Sequence, residues 1–144
     1  MKKLAFIILL LSFGINSFAS PEEILIVSSK QTPDDSILLN QVKEAFLGNQ
    51  QTFAQGGDVQ ALDRKTAPND LRAKFFQTAA GMSNIQLKAY WSQRIFTGRG
   101  YPPRAADDFD ALKKELIAKP GTIAFITPSE LDPSLKVLLK IETK

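Results

Sequence analysis

Three short apolar runs constrain the fold of this chain most strongly. Residues 23–28, 122–126 and 135–141 read EILIVS, TIAFI and LKVLLKI, and polar or turn-forming residues bound each run. Runs of this length that are β-branched or aliphatic through their middle are typical of strands buried on both faces. Segments with helical periodicity separate them. The sequence therefore predicts an α/β layer fold in one domain.

Four helices and one further short strand, residues 58–63, fill the space between these runs. The first helix follows Pro33, with Asp34 or Asp35 as its cap, and the polar loop after it covers residues 49–57. The four helices are expected from residue 34 to Gly48, from Pro68 to Gly81, from Ser83 to Phe96 and from Asp107 to Ala118.

The third helix begins with a capping box, in which Gln86 follows Ser83 by three residues. Tyr90 and Trp91 are interpreted as core and partly buried residues rather than as a stacking platform. One side of this helix is formed by Ile85, Ala89, Ser92 and Phe96, with Leu87, Trp91 and Ile95 close by.

The first nineteen residues have the pattern of a cleavable signal peptide. Lys2 and Lys3 precede the apolar stretch 4–15, and Ser17-Phe18-Ala19 offers small residues before a cut near Ala19. A retained membrane anchor is the alternative, but a spanning helix needs roughly 20 apolar residues. We therefore expect one domain over residues 20–144, located in the periplasm, with no stable membrane insertion after cleavage.

Charge and composition exclude several classes of function. Loss of Lys2 and Lys3 would leave 16 Lys+Arg against 15 Asp+Glu, a net charge of +1, so no nucleic-acid partner is predicted. The chain has no His and no Cys, which excludes His-dependent nucleophiles and ordinary zinc sites. The acidic residues from Asp107 to Asp110 are interpreted as the first turn of a helix rather than as a calcium loop. We expect no metal, no cofactor and no enzymatic activity.

Four segments, taken in order along the chain, match the pattern of a known family. They are Phe46-Leu47-Gly48, Arg72-Ala73-Lys74-Phe75, the stretch from Tyr90-Trp91 to Pro102-Pro103, and Lys119–Ile126 followed by Val137-Leu138. Together they resemble exported proteins related to the periplasmic phosphate-binding proteins of ABC transporters. The resemblance extends from Ile24 to Ile141 and covers the second lobe of such proteins only. It implies a single lobe of the type II periplasmic-binding-protein-like fold, with a central mixed sheet flanked by helices.

The resemblance also implies an anion site at the start of the second helix. Phosphate binders carry Ser-Gly-Thr-Arg there, and this chain has Asn69-Asp70-Leu71-Arg72. The ligand-binding candidates are therefore Asn69, Asp70 and Arg72, together with Thr66 just before them. Asp70 would repel a bound anion, although it could accept a proton from monoprotonated phosphate. The alternative is that Asn69 and Asp70 simply cap the helix.

Three arginines flank the glycine- and proline-rich segment between the third and fourth helices. Arg94, Arg99 and Arg104 could contact an anion or a partner, or could belong to a solvated loop. The leading hypothesis is a periplasmic solute-binding-like protein for phosphate or a related oxyanion, working with an ABC permease. The alternative is a non-enzymatic interaction module that serves another envelope protein and has lost the ligand.

Overall fold

The structure is a computed structural model that describes residues 21–143. The signal peptide predicted for residues 1–19 lies outside the described residues. Within 21–143 no helix combines the length and the apolar character needed to cross a bilayer.

Five strands form one mixed sheet, and two very short strands pair separately. The sheet has the order β2-β3-β6-β1-β7, in which only the pair β3/β6 is parallel. Strands β4 and β5 pair in parallel beside it. The bounds are β1 Glu23–Ser29, β2 Gln51–Thr52, β3 Asp58–Ala61, β4 Asp63–Arg64, β5 Ala105–Ala106, β6 Thr122–Ile126 and β7 Leu135–Glu142.

Four helices cover the two faces of this sheet. They are α1 Leu39–Phe46, α2 Leu71–Ala80, α3 Asn84–Phe96 and α4 Phe109–Ala118, and short 3-10 turns occupy Pro68–Asp70 and Pro128–Glu130. Ile24 and Ile26 of β1 face the cluster built with α1, α2 and α3. Leu25 and Val27, which alternate with them, face the cluster built with α4. The predicted mixed sheet flanked by helices is confirmed.

Four phenylalanines form the centre of the larger cluster. Phe75 of α2 stacks on Phe125 of β6 with ring centroids 4.3 Å apart. Phe46 of α1 and Phe76 contact Phe75 edge-on at 4.8 and 5.0 Å. All four side chains are at most 2% exposed, so this cluster fixes α1 and α2 against the sheet.

The predicted start of the first helix is wrong. Helix α1 begins at Leu39, because the buried carboxylate of Asp34 accepts the backbone N–H of Gln55 instead of capping a helix. The chain then passes along β7, where Ile37 N–H donates to Leu138 O at 3.3 Å. Two neighbouring predictions also change. The loop 49–57 contains β2, and the predicted strand 58–63 is divided between β3 and β4.

The longest apolar row of α3 suggests that this side of the helix faces the core, but the structure buries a different side. Leu87 and Trp91 are buried, as expected for Trp91, and Tyr90 is half-buried. The side formed by Ile85, Ala89, Ser92 and Phe96 is exposed. The capping box at Ser83 and Gln86 is confirmed.

The acidic start of α4 is only partly as predicted. Asp108 is the cap and accepts the backbone N–H of Ala111, and Asp110 lies in the first turn. Asp107 lies outside the helix and pairs with Lys65 at 2.6 Å.

Candidate functional site

The candidate site lies where the two parallel strands of the sheet end. Because β3 and β6 run in parallel, their carboxyl ends lie at the same edge, and open α/β sheets bind ligands outside such ends. The chain leaves β3 through β4 and the turn Pro68–Asp70 into α2. It leaves β6 through Thr127 and the turn Pro128–Glu130. All four sequence candidates from Thr66 to Arg72 therefore lie beside this edge.

A buried ion pair joins these two exits from the sheet. Arg64, 2% exposed, donates two hydrogen bonds of 2.9 Å to the carboxylate of Glu130. Its Nε donates to Thr66 O at 2.8 Å. Glu130 in turn accepts the backbone N–H of Thr127. The pair therefore fixes the segment after β6 against β4, and no local sequence pattern indicates it.

Arg72 is held by a second ion pair. Its Nε and Nη2 donate to the carboxylate of Asp63, with a shortest distance of 2.7 Å. Asp63 is buried, whereas the Arg72 side chain is 38% exposed. The guanidinium also lies over the ring of Phe76, 4.9 Å from its centroid. Within residues 21–143 Nη1 of Arg72 makes no hydrogen bond, so one edge of the guanidinium remains available.

Asn69 and Asp70 adopt an uncommon backbone conformation and do not cap α2. Both have φ of 53°, in the left-handed region, and neither side chain bonds to the start of the helix. The capping interpretation is therefore wrong. Left-handed backbone at residues other than glycine costs of order 1–3 kcal/mol, and such strain is concentrated at functional sites. Thr66 has an exposed side chain, and its hydroxyl donates to Asp107 O at 2.8 Å.

Two pockets lie beside the turn Pro68–Asp70. The larger, which we name the Lys74 pocket, has a volume of about 310 Å³ and includes Asn69, Lys74 and the acidic Glu22 and Glu23. Lys74 pairs with Glu22. Two carboxylates against one ammonium, among apolar neighbours, make this pocket a poor place for a small inorganic anion.

The smaller pocket has a different charge balance. This Arg72 pocket has a volume of about 230 Å³, and its polar lining residues are Lys65, Asp70, Arg72 and Asn84. It thus contains two cationic side chains and one carboxylate. The structure places Asp70 and Arg72 in this pocket, Asn69 in the Lys74 pocket and Thr66 in the lining of neither.

The three other arginine candidates do not form one cluster, because their side chains have different partners. Arg94 lies over the rings of Tyr90 and Trp91, and its Nη2 donates to Arg99 O. Arg104 pairs with Glu115 of α4 at 2.5 Å. The side chain of Arg99 is exposed. Arg94 and Arg99 are therefore neighbours, whereas Arg104 is bound to a different helix.

Two carboxyl groups after β6 have lowered pKa values. Burial alone would raise the pKa of Glu130, but hydrogen bonds from Arg64 and Thr127 and the charge of Arg64 outweigh it. The pKa of Glu130 is therefore below its ordinary 4.5. Hydrogen bonds from the hydroxyl and the N–H of Ser134, aided by Lys113, lower the pKa of Asp132 from 3.8 to about 2.

These lowered pKa values predict acid sensitivity. A carboxyl group with a depressed pKa in the folded state stabilises the fold above its unfolded-state pKa, and this stability is lost as pH falls. The free energy of unfolding, measured by urea titration, should decrease from about pH 4.5 towards pH 2. Asp132→Asn should flatten the lower part of this dependence. An unchanged profile in that variant would contradict the hydrogen bonds assigned to Asp132.

Within residues 21–143 no group of three or more His, Cys, Asp or Glu side chains could hold a metal ion. The arrangement consists of an ion-paired edge of the sheet with two pockets beside it.

Comparison with known proteins identifies the fold. No family model matches the chain, and no curated protein matches it. Among solved structures, it is similar to one from Clostridium perfringens described as a phosphate ABC transporter substrate-binding protein with bound phosphate (TM-score 0.59, 17% identity). It is also similar to an ABC-type phosphate transport receptor from Vibrio cholerae (TM-score 0.52, 12% identity). The fold is that of one lobe of a periplasmic binding protein.

The likeness to a binding-protein lobe is partial. The matches cover 81% of this chain but only 44% and 45% of the two solved proteins, so the chain spans less than half of their length. The predicted resemblance to a single lobe is confirmed at the level of fold. One neighbour is described as a substrate-binding protein and the other as a transport receptor, and at these identities they establish architecture alone.

Proposed function

We propose that this chain is a periplasmic, non-enzymatic solute-binding-like protein that holds phosphate or a related oxyanion in the Arg72 pocket. The observation that carries the proposal is the meeting of two cationic side chains, Lys65 and Arg72, beside the start of α2. The neighbour from Clostridium perfringens, which shares this fold over 44% of its length, is described with bound phosphate. An ABC permease is the expected partner.

The donors available in the Arg72 pocket suit a small anion. Nη1 of Arg72 has no partner within residues 21–143, and Lys65 uses one of its protons on Asp107. The Asn84 side chain makes no hydrogen bond to the described residues and adds an amide donor. Hydrogen bonds that involve a charged group contribute about 1.5–3 kcal/mol each. Asp70 adds an acceptor, which favours an oxyanion that retains a proton.

Calorimetric titration with phosphate and with sulfate tests this proposal. Lys65→Gln should weaken phosphate binding by tenfold or more, since it removes a charged donor from the pocket. Phosphate should bind more tightly than sulfate, because only phosphate has a proton for Asp70 to accept at neutral pH.

Lys119→Gln is the matched control for this experiment. The side chains of Lys65 and Lys119 are both 63% exposed and each pairs with one carboxylate, but Lys119 does not line the Arg72 pocket. The control should bind phosphate as the parent does. Absence of heat at millimolar phosphate, or equal weakening in the two variants, would count against an oxyanion in this pocket.

A second candidate function is an envelope interaction module that has lost its ligand. The pairing of Arg72 with Asp63 favours it, because two nitrogens of the arginine that matches the resembled anion loop are already occupied. Under this alternative, phosphate produces no heat and one envelope protein co-purifies reproducibly with the chain. Failure to recover such a partner would weaken it.

A further inference from the structure

The outward face of α3 carries an apolar stripe that is largely exposed and belongs to neither core cluster. The stripe consists of Ile85, Ala89, Ser92, Ile95 and Phe96, all exposed. Phe96 is 92% exposed and Ile85 is 83% exposed. Their spacing along the helix places them on one side. Phe96 alone exposes most of the roughly 150–250 Å² that a buried aromatic side chain hides.

This stripe is distinct from the side of α3 that packs against the rest of the domain. Leu87 and Trp91 are 2% and 8% exposed and belong to the cluster on the sheet. The helix therefore needs no outward apolar residues to dock on its own domain. Contiguous apolar groups with polar surroundings commonly mark interaction sites.

The loop after α3 brings a cation close to Phe96. This loop is shaped by Gly98 and Gly100, which have positive φ, and by the hydrogen bond from Arg94 Nη2 to Arg99 O at 3.1 Å. Phe96 and Arg99 thus lie close together in the chain at one end of α3. Tyr101 is 75% exposed but lines a pocket beside Gly48 and is not part of the stripe.

Two cations on or just after α3 have no carboxylate partner among the described residues. From Leu71 to Ala106 the chain contains no Asp or Glu. Within residues 21–143 neither Lys88, beside the stripe, nor Arg99 pairs with a carboxylate within 4.0 Å. The cations in this acid-free stretch are Arg72, Lys74, Lys88, Arg94, Arg99 and Arg104.

These charges decide which occupant fits the stripe. A second copy of the chain would bring like charges together, which is unfavourable. An anionic surface would attract them. A helix that presents one exposed apolar row, with cations beside it and an aromatic ring at one end, suits a flat lipid interface.

We propose that the α3 stripe adsorbs reversibly to an anionic lipid surface, with Ile85, Ile95 and Phe96 in the interfacial layer. Lys88 and Arg99 contact the phosphate headgroups. This adsorption is independent of any ligand in the Arg72 pocket.

Co-sedimentation with vesicles tests the proposal on purified protein covering residues 20–144. Vesicles of phosphatidylcholine alone are compared with vesicles that also contain phosphatidylglycerol, at low and at high salt. The protein should bind the anionic vesicles at low salt and dissociate at high salt, because added salt screens the attraction. Phe96→Ser should lower the partition coefficient by about tenfold or more, and Lys88→Gln by about fivefold.

Helix α4, on the opposite face of the sheet, supplies matched controls. Ile95 and Ile117 are 45% and 43% exposed, so Ile95→Ser is compared with Ile117→Ser. Likewise Lys88→Gln is compared with Lys114→Gln, an exposed lysine of α4. Only the α3 variants should lose binding, and circular dichroism should show all of them folded.

Equal binding to neutral and anionic vesicles, or equal losses from α3 and α4 variants, would overturn the proposal. No binding to either vesicle would also overturn it and would leave an acidic protein surface as the occupant of the stripe.

Discussion

Replacing Arg64 by alanine should lower the free energy of unfolding by about 3–5 kcal/mol, as expected when one partner of a buried ion pair is removed. Arg64 is 2% exposed, and its loss leaves the largely buried carboxylate of Glu130 without its counter-charge. It also removes the donor to Thr66 O. The measurement is urea unfolding followed by circular dichroism and extrapolated to water.

The next residue provides the control. Lys65 also pairs with a carboxylate, but the Lys65 and Asp107 side chains are 63% and 76% exposed. Exposed pairs contribute about 0–1 kcal/mol, so Lys65→Ala should have little effect on stability. If the two alanine variants were equally stable, the burial assigned to Arg64 and Glu130 would be incorrect. The double variant Arg64→Met, Glu130→Gln should recover part of the loss, since no unpaired charge remains.

The regular elements of this fold were predictable because their signals are local. The strands β1 and β6 are short apolar runs, and burial on both faces requires such runs irrespective of what lies elsewhere in the chain. The last residue of α2 and the first residue of α3 were predictable for a similar reason. Gly81 supplies the positive φ that ends α2, and Ser83 with Gln86 forms the capping box of α3.

The start of α1 depends on contacts that the local sequence does not contain. Asp34 has the composition of a helix cap, but its carboxylate binds the backbone of Gln55, which is 21 residues away. On α3, two sides of the helix carry apolar residues, and periodicity alone does not decide which of them is buried. The side with Trp91 is buried because its ring packs at Gly48, where an added Cβ would lie 2.9 Å from the indole.

The candidate site was predictable in place but not in composition. The resemblance located it at the start of α2, where Asp70 and Arg72 line a pocket. Neither pattern nor resemblance indicated that Asp63 would hold Arg72 or that Glu130 would hold Arg64 from 66 residues away. The one available signal was Asp63-Arg64 itself, two adjacent charged residues just after the short strand β3. Buried charges need partners, but the partners lie far away in the sequence and cannot be read from it.

Truncating Phe75 to alanine should lower the free energy of unfolding by about 3–5 kcal/mol, the range for an aromatic residue in a close-packed core. Phe75 is completely buried, and it touches the rings of Phe46, Phe76 and Phe125 at centroid distances of 4.8, 5.0 and 4.3 Å. The variant therefore loses the contact area of one ring and the aromatic pairing of three, and it leaves a cavity between α1, α2 and β6. Urea unfolding monitored by circular dichroism measures the loss.

Phe96→Ala is the control, because it makes the same truncation at a ring that is 92% exposed. Its effect should stay within about 0.5 kcal/mol, as for surface substitutions away from special features. Phe75→Leu should cost much less than Phe75→Ala, since it keeps most of the apolar volume. If Phe75→Ala and Phe96→Ala had similar effects, Phe75 would not lie at the centre of the core. A large effect of Phe96→Ala alone would instead mean that the α3 stripe packs against the domain.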